Sequence, residues 1–423
     1  MNASKSLRLT AVMLSVSPWM AFPASAQWAE MGVLGGDVCR SRDVNDHGQA
    51  IGTCRNENGD FVAAYWRNGQ VPVALQTLET DGECDAVSIG NDGTISGNCQ
   101  QGQYGERFPV RWNVANPSAA PQKLGSASNH TKSVAIAANN VGVIVGSSLN
   151  NNGALRAVAW LAGERNPITL PELGPLPPLL PSSNGCRPTA VSDDLEPMIA
   201  GICSLRAGGT VAVKWSPSTL AYRIDELVRL PQGSNCQAVA INGRGQVAGT
   251  CQTATGDYAA VRWNPDGRSL TYLRNVVFIS SVVQQLSSVD MNELGTVIGH
   301  YSTDQGLSRS FIWSPTGNPG TEYGRDIGTL GGYRTHARSI ADNGVVIGSA
   351  QDGVGATRAF RWTVAGIASL GTLPGGLTSS ADAISDGGAY IVGTSQTISG
   401  VDHAVGFGLL PRAGKAAVRR TPR

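Results

Sequence analysis

An eightfold internal repeat constrains the fold of this chain more than any other feature. A glycine that usually follows two small or β-branched residues recurs about every 45–55 residues, and an aromatic residue follows it about fourteen positions later. The glycine column is Gly52, Gly97, Gly146, Gly201, Gly249, Gly299, Gly348 and Gly393. The aromatic column is Trp66, Trp112, Trp160, Trp215, Trp263, Trp313, Trp362 and Phe407. Seven of the nine tryptophans of the chain fall in this column, so chance placement does not explain the repeat.

Each repeat contains four short strand candidates. They are a Leu-Gly segment, a strand that ends at an apolar column beginning with Val44, a strand that ends at the Gly52 column, and a strand that ends at the aromatic residue. A turn that combines Asn or Asp with Gly joins the second and third strands. Four strands in a unit of this length are typical of a propeller blade.

The residues that precede each column glycine support this interpretation. They are mostly apolar on both faces of the strand, as expected of a strand that is covered from both sides. The sequence therefore predicts an all-β fold, a β-propeller of eight four-stranded blades, with seven blades or a β-solenoid as alternatives. The ring could also close with a strand from the other terminus, which residues 28–36 would supply.

All eight cysteines lie in two columns, in repeats one, two, four and five. The members of each pair flank a hairpin turn, with a sequence separation of 15, or of 17 in repeat four, so the two columns face each other across adjacent strands. The predicted disulfides are Cys39–Cys54, Cys84–Cys99, Cys186–Cys203 and Cys236–Cys251. A metal site is the alternative, but one pair per repeat in an exported chain fits disulfides better. Serines hold the same columns in repeats three and eight, as Ser133 with Ser148 and Ser379 with Ser395.

The same register sets a small residue opposite each column glycine, for example Ser41 opposite Gly52 and Ala86 opposite Gly97. Such a pair leaves a flat patch on the hairpin. We expect a tryptophan side chain to cover this patch, because an aromatic ring can fill the space beside a strand glycine.

Residues 1–26 have the pattern of a signal peptide. Lys5 and Arg8 precede an apolar run, and the small residues at 24–26 form a cleavage signal that ends at Ala26. A retained membrane anchor is the alternative, and no later segment has the roughly 18 uninterrupted apolar residues of a membrane span. The sequence thus predicts a secreted or periplasmic protein, with a propeller over residues 27–411 and a basic, disordered tail over residues 412–423.

The charge of the chain argues against nucleic acid as a partner. Two basic residues lie in the segment 1–26 and five lie in the segment 412–423, with no acidic residue in either segment. The body of the chain between them is therefore mildly acidic, which makes it a poor match for a phosphate backbone. For the basic tail, contact with an anionic lipid or polysaccharide is the alternative to simple disorder.

The repeat resembles the HAF repeat of predicted extracellular bacterial proteins. The most similar unit is repeat seven, which reads IGTLGG, then HARSIADNGVVIGS, then RAFRW at residues 358–362. Repeat five matches in CQAVAINGRGQVAGT, and the resemblance extends over residues 31–407. It implies secretion and a repeated β fold, and it transfers no catalytic residue. The paired cysteines are not part of the HAF pattern.

No catalytic, cofactor-binding or metal-binding residue is predicted. The five histidines occupy different columns, and we interpret the acids near the turns, among them Asp193, Asp290 and Asp386, as turn-forming residues. Gly-Asp loops at residues 58–60 and 255–257 are weak candidates for calcium, because their spacing matches no established loop motif.

The predicted function is a monomeric binding or interaction module whose ligand is a carbohydrate or a cell-surface protein. The alternative is a glycan hydrolase or lyase with a composite site at the channel mouth. Unpaired Asp, Glu, His or Arg side chains that converge on one mouth would favour the enzyme. A lining of small apolar and amide groups would favour the binding module.

Overall fold

The computed structural model describes residues 28–79, 82–102, 105–149, 153, 155–174, 183–219, 221–273, 276–277, 283–304, 306–315 and 324–408. The predicted signal peptide and the predicted basic tail lie outside these residues. Within the described ranges, the regular secondary structure consists entirely of β-strands. No helix capable of spanning a membrane was found in that part of the chain.

The strands group into small antiparallel sheets. In chain order they are β1 (Ala29–Glu30), β2 (Gly35–Val44), β3 (Gln49–Asn56), β4 (Phe61–Arg67), β5 (Val73–Ala74), β6 (Cys84–Ile89), β7 (Thr94–Gln100), β8 (Arg107–Asn113), β9 (Gln122–Lys123), β10 (Lys132–Ala138), β11 (Ile144–Leu149), β12 (Leu155–Trp160), β13 (Ile168–Thr169), β14 (Ser183–Val191), β15 (Ile199–Leu205), β16 (Thr210–Ser218), β17 (Ala221–Glu226), β18 (Ser234–Ile241), β19 (Val247–Gln252), β20 (Tyr258–Trp263), β21 (Leu270–Tyr272), β22 (Val276–Val277), β23 (Val283–Met291), β24 (Val297–Thr303), β25 (Ser308–Trp313), β26 (Gly324–Asp326), β27 (Gly331–Ile340), β28 (Val346–Asp352), β29 (Thr357–Thr363), β30 (Gly366–Gly371), β31 (Ser379–Ile384), β32 (Ile391–Gln396) and β33 (Asp402–Phe407).

These sheets are the eight blades of a β-propeller, as the repeat predicts. Blades 1 to 7 are β2–β5, β6–β9, β10–β13, β14–β17, β18–β21, β23–β26 and β27–β30. Blade 8 contains β31, β32 and β33 with β1 as its outer strand. Single parallel bridges connect blade 3 to blade 4 and blade 6 to blade 7, and β22 pairs with β26. The innermost strands of successive blades contact each other, including those of blades 8 and 1, so the ring is closed.

The boundaries of the blades differ from those of the sequence repeats by one strand. The short outer strand of each blade precedes the Leu-Gly segment and pairs with the tryptophan strand of the repeat before it. The last repeat consequently needs an outer strand from elsewhere, and β1 supplies it through the pairs Ala29–Gly406 and Glu30–Val405. Closure by residues near the start of the chain, which the sequence left open, is therefore the arrangement that the molecule adopts.

The four predicted disulfides are present: Cys39–Cys54, Cys84–Cys99, Cys186–Cys203 and Cys236–Cys251. Each one joins the innermost strand of a blade to the second strand, and all eight cysteines are buried. Because these bridges use every cysteine of the chain, none is left to connect two blades. Cohesion between blades must therefore come from noncovalent contacts.

Tryptophan rings of the aromatic column lie beside the strand glycines of blades 2 to 5, as expected, whereas in blades 1 and 7 the atoms nearest to an added Cβ belong to the backbone of the innermost strand. A Cβ added to Gly249 would lie 2.6 Å from Trp263, and one added to Gly97 would lie 2.6 Å from Trp112. In blade 8 the smaller Phe407 occupies the aromatic position of the repeat. Trp28, which directly precedes β1, lies beside Gly393 instead. Blade 6 uses Phe311 beside Gly299. The aromatic column residues are themselves buried, with at most 6% of any residue exposed.

A β-bulge interrupts the innermost strand of every blade at the same position. The bulge residues are Arg42, Val87, Ile136, Thr189, Val239, Val289, Arg338 and Asp382. A bulge re-aims one side chain relative to the regular strand alternation. This position is apolar or Thr in blades 2 to 6, and it is charged in blades 7, 8 and 1.

Candidate ligand-binding groove

The two faces of the propeller differ in what they present. We call the face that carries the turns between the first and second strands of each blade the turn face. The opposite face, which carries the loops between the second and third strands and the links between blades, is the connector face. A channel cavity of about 480 Å³ opens at the turn face, and a larger groove of about 1060 Å³ opens at the connector face.

Five carboxylates converge on the turn-face mouth of the channel: Asp46, Asp193, Glu293, Asp342 and Asp386. They hold one position of the repeat, which in blades 2, 3 and 5 is Asn91, Asn140 and Gly243. Burial, together with the neighbouring carboxylates, raises the pKa of Asp193 to about 6 and raises the pKa of Asp386. A cluster of acids at a channel mouth, some of them with a raised pKa, is the arrangement that a composite catalytic site would require.

These side chains, however, serve as ties between blades. The side-chain oxygen at this position accepts a backbone N–H from the turn of the preceding blade: Asp46 N to Asn91, Asn91 N to Asn140, Asn140 N to Asp193, Gly243 N to Glu293, Glu293 N to Asp342 and Gly387 N to Asp46. Between blades 7 and 8 the backbone carbonyl of Asp386 is the acceptor instead. Asp386 accepts a bond of 2.6 Å from the side chain of Asn140. All five carboxylates are thus hydrogen-bonded. We call this series of bonds the turn belt; it links the described turns of all neighbouring blades except blades 4 and 5, because blade 5 has Gly243 at this position.

The interpretation of these acids as turn-forming residues was incomplete, because their carboxylates accept hydrogen bonds from other blades, in four of the five cases from the preceding blade. Asp290 also departs from it, since it lies in a strand. Its carboxylate accepts bonds from Met291 N, Ile340 N and the Ser339 hydroxyl, and the last two belong to the following blade. Asp43 makes the same three bonds at the junction of blades 1 and 2. Burial raises the pKa of each of these two carboxyls to about 6.

The connector-face groove runs over blades 7, 8 and 1. Its walls are the innermost strands of these blades and the first residues of their third strands, together with Thr53 and Thr394 of second strands and Val87 of blade 2. The lining residues are Arg40, Ser41, Arg42, Asp43, Thr53, Phe61, Val87, Arg338, Thr357, Thr378, Ser379, Ser380, Asp382, Thr394 and Asp402. Hydroxyl groups and paired charges dominate this set. It shares Arg42, Asp43, Arg338 and Asp382 with the channel, so the groove leads into the channel.

Two Arg–Asp pairs lie in the wall of the groove. Arg40 donates through Nε and Nη2 to the same oxygen of Asp402, at 3.2 and 2.8 Å, and so joins blade 1 to blade 8. Arg338 donates to Asp382 at 3.2 Å and joins blade 7 to blade 8. Asp382 is partly buried, which raises its pKa, and it also accepts bonds from the hydroxyls of Ser380 and Thr394.

Several polar groups in the groove have no partner within the described part of the chain. The second carboxylate oxygen of Asp402 accepts no bond there, and the hydroxyls of Thr53, Thr357 and Thr378 make none. Phe61 stands at the rim with 42% of its surface exposed, and the guanidinium of Arg55 lies over its ring. A ligand with many hydroxyls and an apolar ring face would satisfy both kinds of surface.

Of the positions named from the sequence, Ser41 and Ser379 line the groove. The glycine and aromatic columns and the disulfides are buried in the blades, and none of them lines the groove. The groove residues Arg40, Arg42, Phe61, Asp382 and Asp402 were not singled out. One signal was available, because the bulge position changes from mostly apolar to charged in three consecutive blades of the closed ring.

Two of the histidines lie together, although the sequence suggested that all five were scattered. The rings of His300 and His336 are 3.8 Å apart between centroids, at the junction of blades 6 and 7. His300 bonds the carbonyl of Ala337 through Nε2, and burial lowers its pKa to about 4. Within the described residues, no group of three or more His, Cys, Asp or Glu side chains has an arrangement suited to a metal ion.

Comparisons with known proteins show the fold. No protein-family model and no curated protein sequence matches the chain. Among solved structures, it is similar to a post-proline cleaving enzyme from Rickettsia typhi, with a TM-score of 0.52, 9% identity, and coverage of 84% of this chain and 55% of that one. It is similar to a puromycin-hydrolyzing peptidase from Mycobacterium tuberculosis, with a TM-score of 0.49, 12% identity, and coverage of 82% and 55%.

A third similar structure is the β-propeller domain of the Trilobed protease from Pyrococcus furiosus, with a TM-score of 0.47, 10% identity, and coverage of 76% of this chain and 93% of that one. The chain spans about 55% of the length of each of the two peptidases above. At these identities the likeness extends to the propeller architecture alone.

Proposed function

We propose that this protein is an exported carbohydrate-binding propeller that holds its ligand in the connector-face groove. The observation that carries the proposal is the lining of the groove, where hydroxyls and a carboxylate oxygen that have no partner among the described residues lie within one concavity beside an exposed aromatic ring. Sugars present hydroxyls at their edges and C–H groups at their ring faces. A groove of this composition can bond the first and pack against the second.

The enzyme alternative loses support from the turn belt. A glycan hydrolase or lyase at the channel mouth needs carboxylates that can exchange a proton with substrate. The five carboxylates at that mouth each accept a hydrogen bond from the protein, and four of them accept it from a backbone N–H group. Their arrangement is accounted for by blade cohesion, which favours binding over catalysis.

The proposed location follows from the cysteines and from the start of the chain. Intrachain disulfides of this kind persist in oxidising compartments. A secreted or periplasmic destination, with removal of residues 1–26, is the finer proposal and rests on the signal-peptide pattern. Membership of the HAF repeat group likewise stays a proposal based on the motifs quoted above.

A glycan array probed with the protein from Gln27 onward tests the binding function. We expect the wild-type protein to retain a defined set of glycans, and Phe61→Ala to weaken their binding by roughly tenfold or more, because it removes the aromatic platform. Tyr258→Ala is the matched control, since Tyr258 begins the third strand of blade 5 as Phe61 begins that of blade 1, and it is 46% exposed. Absence of glycan binding, or an equal loss in both variants, would contradict the proposal.

A further inference from the structure

One of the three groove arginines is not held by a carboxylate. Arg42 has a single hydrogen bond within the described residues, from Nε to the carbonyl of Val87 at 3.2 Å. Both terminal amino groups of its guanidinium therefore have no protein partner there. Arg42 is also the bulge residue of blade 1, exposed, and shared between the groove and the channel.

The carboxylate next to Arg42 in sequence does not neutralise it. Asp43 accepts bonds from Val44 N and Ile89 N at 2.9 Å and from the Ser88 hydroxyl at 3.0 Å, so its oxygens are engaged at the junction with blade 2. The other two groove carboxylates, Asp382 and Asp402, each pair with another arginine. Arg42 is thus the one groove arginine that the described residues leave without a carboxylate partner.

We propose that the groove selects an anionic sugar, whose carboxylate or sulfate is bound by the terminal amino groups of Arg42. This inference rests on the proposed carbohydrate-binding function and names the ligand class of the same site. A guanidinium presents parallel N–H donors that match two oxygens of one acidic group, and such charge-assisted pairs are the strongest hydrogen bonds that a surface groove offers.

The remaining groove groups favour an acidic sugar over a simple inorganic anion. The second oxygen of Asp402, which accepts no bond from the described residues, can accept one from a sugar hydroxyl, and it would repel a bare anion. The hydroxyls of Thr53, Thr357 and Thr378 add donors and acceptors along the groove. A ligand that carries both an acidic group and several hydroxyls satisfies Arg42 and these groups together.

The test uses a glycan array that contains neutral, carboxylated and sulfated glycans, followed by titration calorimetry with the glycans that bind. We expect the retained set to be anionic, and Arg42→Gln to lower its affinity at least about tenfold. Arg42→Lys should recover part of this loss, because it keeps the charge without the planar fork. Arg187→Gln is the matched control, because Arg187 is exposed on the innermost strand of blade 4 and does not line the groove.

A second experiment measures the binding of a neutral ester of each carboxylated glycan that binds. Weaker binding of the ester to the wild-type protein, with no further loss in Arg42→Gln, would assign the effect to this one contact. Binding of sulfated but not carboxylated glycans would identify sulfate as the acidic group. A retained set of neutral glycans, or an Arg42→Gln protein with unchanged selectivity, would overturn the inference while the carbohydrate function stands. No glycan binding at all would reject the proposed function itself.

Discussion

Blades 1, 2, 4 and 5 are bridged by disulfides, and blades 3, 6, 7 and 8 place other residues at the same two positions. In blade 3 the hydroxyls of Ser133 and Ser148 lie 3.0 Å apart and bond each other. In blade 8, Ser379 and Ser395 each accept a backbone N–H, from Ala359 and Leu373. One cross-strand position can therefore hold a covalent bond or a buried hydroxyl pair without a change in the blade.

The comparison of bridged with unbridged blades shows which contacts hold neighbouring blades together. Junctions of bridged and of unbridged blades alike carry bonds of the turn belt, and Asp43 and Asp290 add ties at the junctions of blades 1 and 2 and of blades 6 and 7. The disulfides stabilise single hairpins. The groove, in contrast, extends over the unbridged blades 7 and 8 and the bridged blade 1. Because the ring closes between blades 8 and 1, the walls of the groove come together only when the ring is closed.

The largest expected effect concerns the strand glycines, which should matter equally in both kinds of blade. Gly249→Val in bridged blade 5 and Gly299→Val in unbridged blade 6 each place a side chain against an aromatic ring and the backbone of the adjacent strand. We expect each to lower the free energy of unfolding by roughly 3–5 kcal/mol, measured by urea denaturation. Gly353→Ala is the control, since a Cβ there meets no described atom within 4 Å. A loss confined to one variant would show that the bridge governs core packing.

A second prediction uses pH to compare the ties at two junctions. The pKa of Asp43 and of Asp290 is raised to about 6 by burial, above the value of about 4 in an unfolded chain. The folded state therefore binds more protons between these values, and the contribution of each group to stability increases as pH falls from 7 to about 4. We expect Asp43→Asn and Asp290→Asn to reduce that increase by similar amounts, up to about 3 kcal/mol each, in melting curves across this pH range. If the dependence of stability on pH changed in only one of the two variants, the two junctions would not be equivalent.

The smallest expected effect is that of the bridge itself. Cys236→Ser with Cys251→Ser should lower the free energy of unfolding by about 2–3 kcal/mol, because the bridge closes a short loop. The reverse change, Ser133→Cys with Ser148→Cys, should form a fifth disulfide and raise the melting temperature of the ring. Thiol titration verifies the bond. A reduced pair of cysteines in that double variant would show that the serine columns are not equivalent to the cysteine columns.

The sequence was sufficient for the blades because each blade is built from local pairings. The distance from Cys39 to Cys54, and the longer turn between Cys186 and Cys203, defined the register of hairpins before any contact between blades was known. The sequence did not show to which blade the outer strand belongs. That strand lies just before a Leu-Gly segment, but it pairs with the tryptophan strand that precedes it in the chain.

The groove could not be derived in the same way. The pair between Arg40 and Asp402 joins residues 362 positions apart, and it lies where blades 8 and 1 meet at the closure of the ring. The carboxylates of the turn belt posed a related difficulty. Within one repeat they look like turn residues, whereas the groups that bond to their carboxylates belong to other repeats.

The strand exchange at blade 8 also determines how the ring responds to tension. β1 runs antiparallel to β33, so Ala29 lies beside Gly406 and both ends of the described chain leave from the same end of one short ladder. Pulling these ends apart loads the ladder one rung at a time, beginning at Ala29–Gly406, and draws Trp28 away from Gly393. Under such a load the ring would open by separation of β1 from β33, while each of the first seven blades keeps its own four strands.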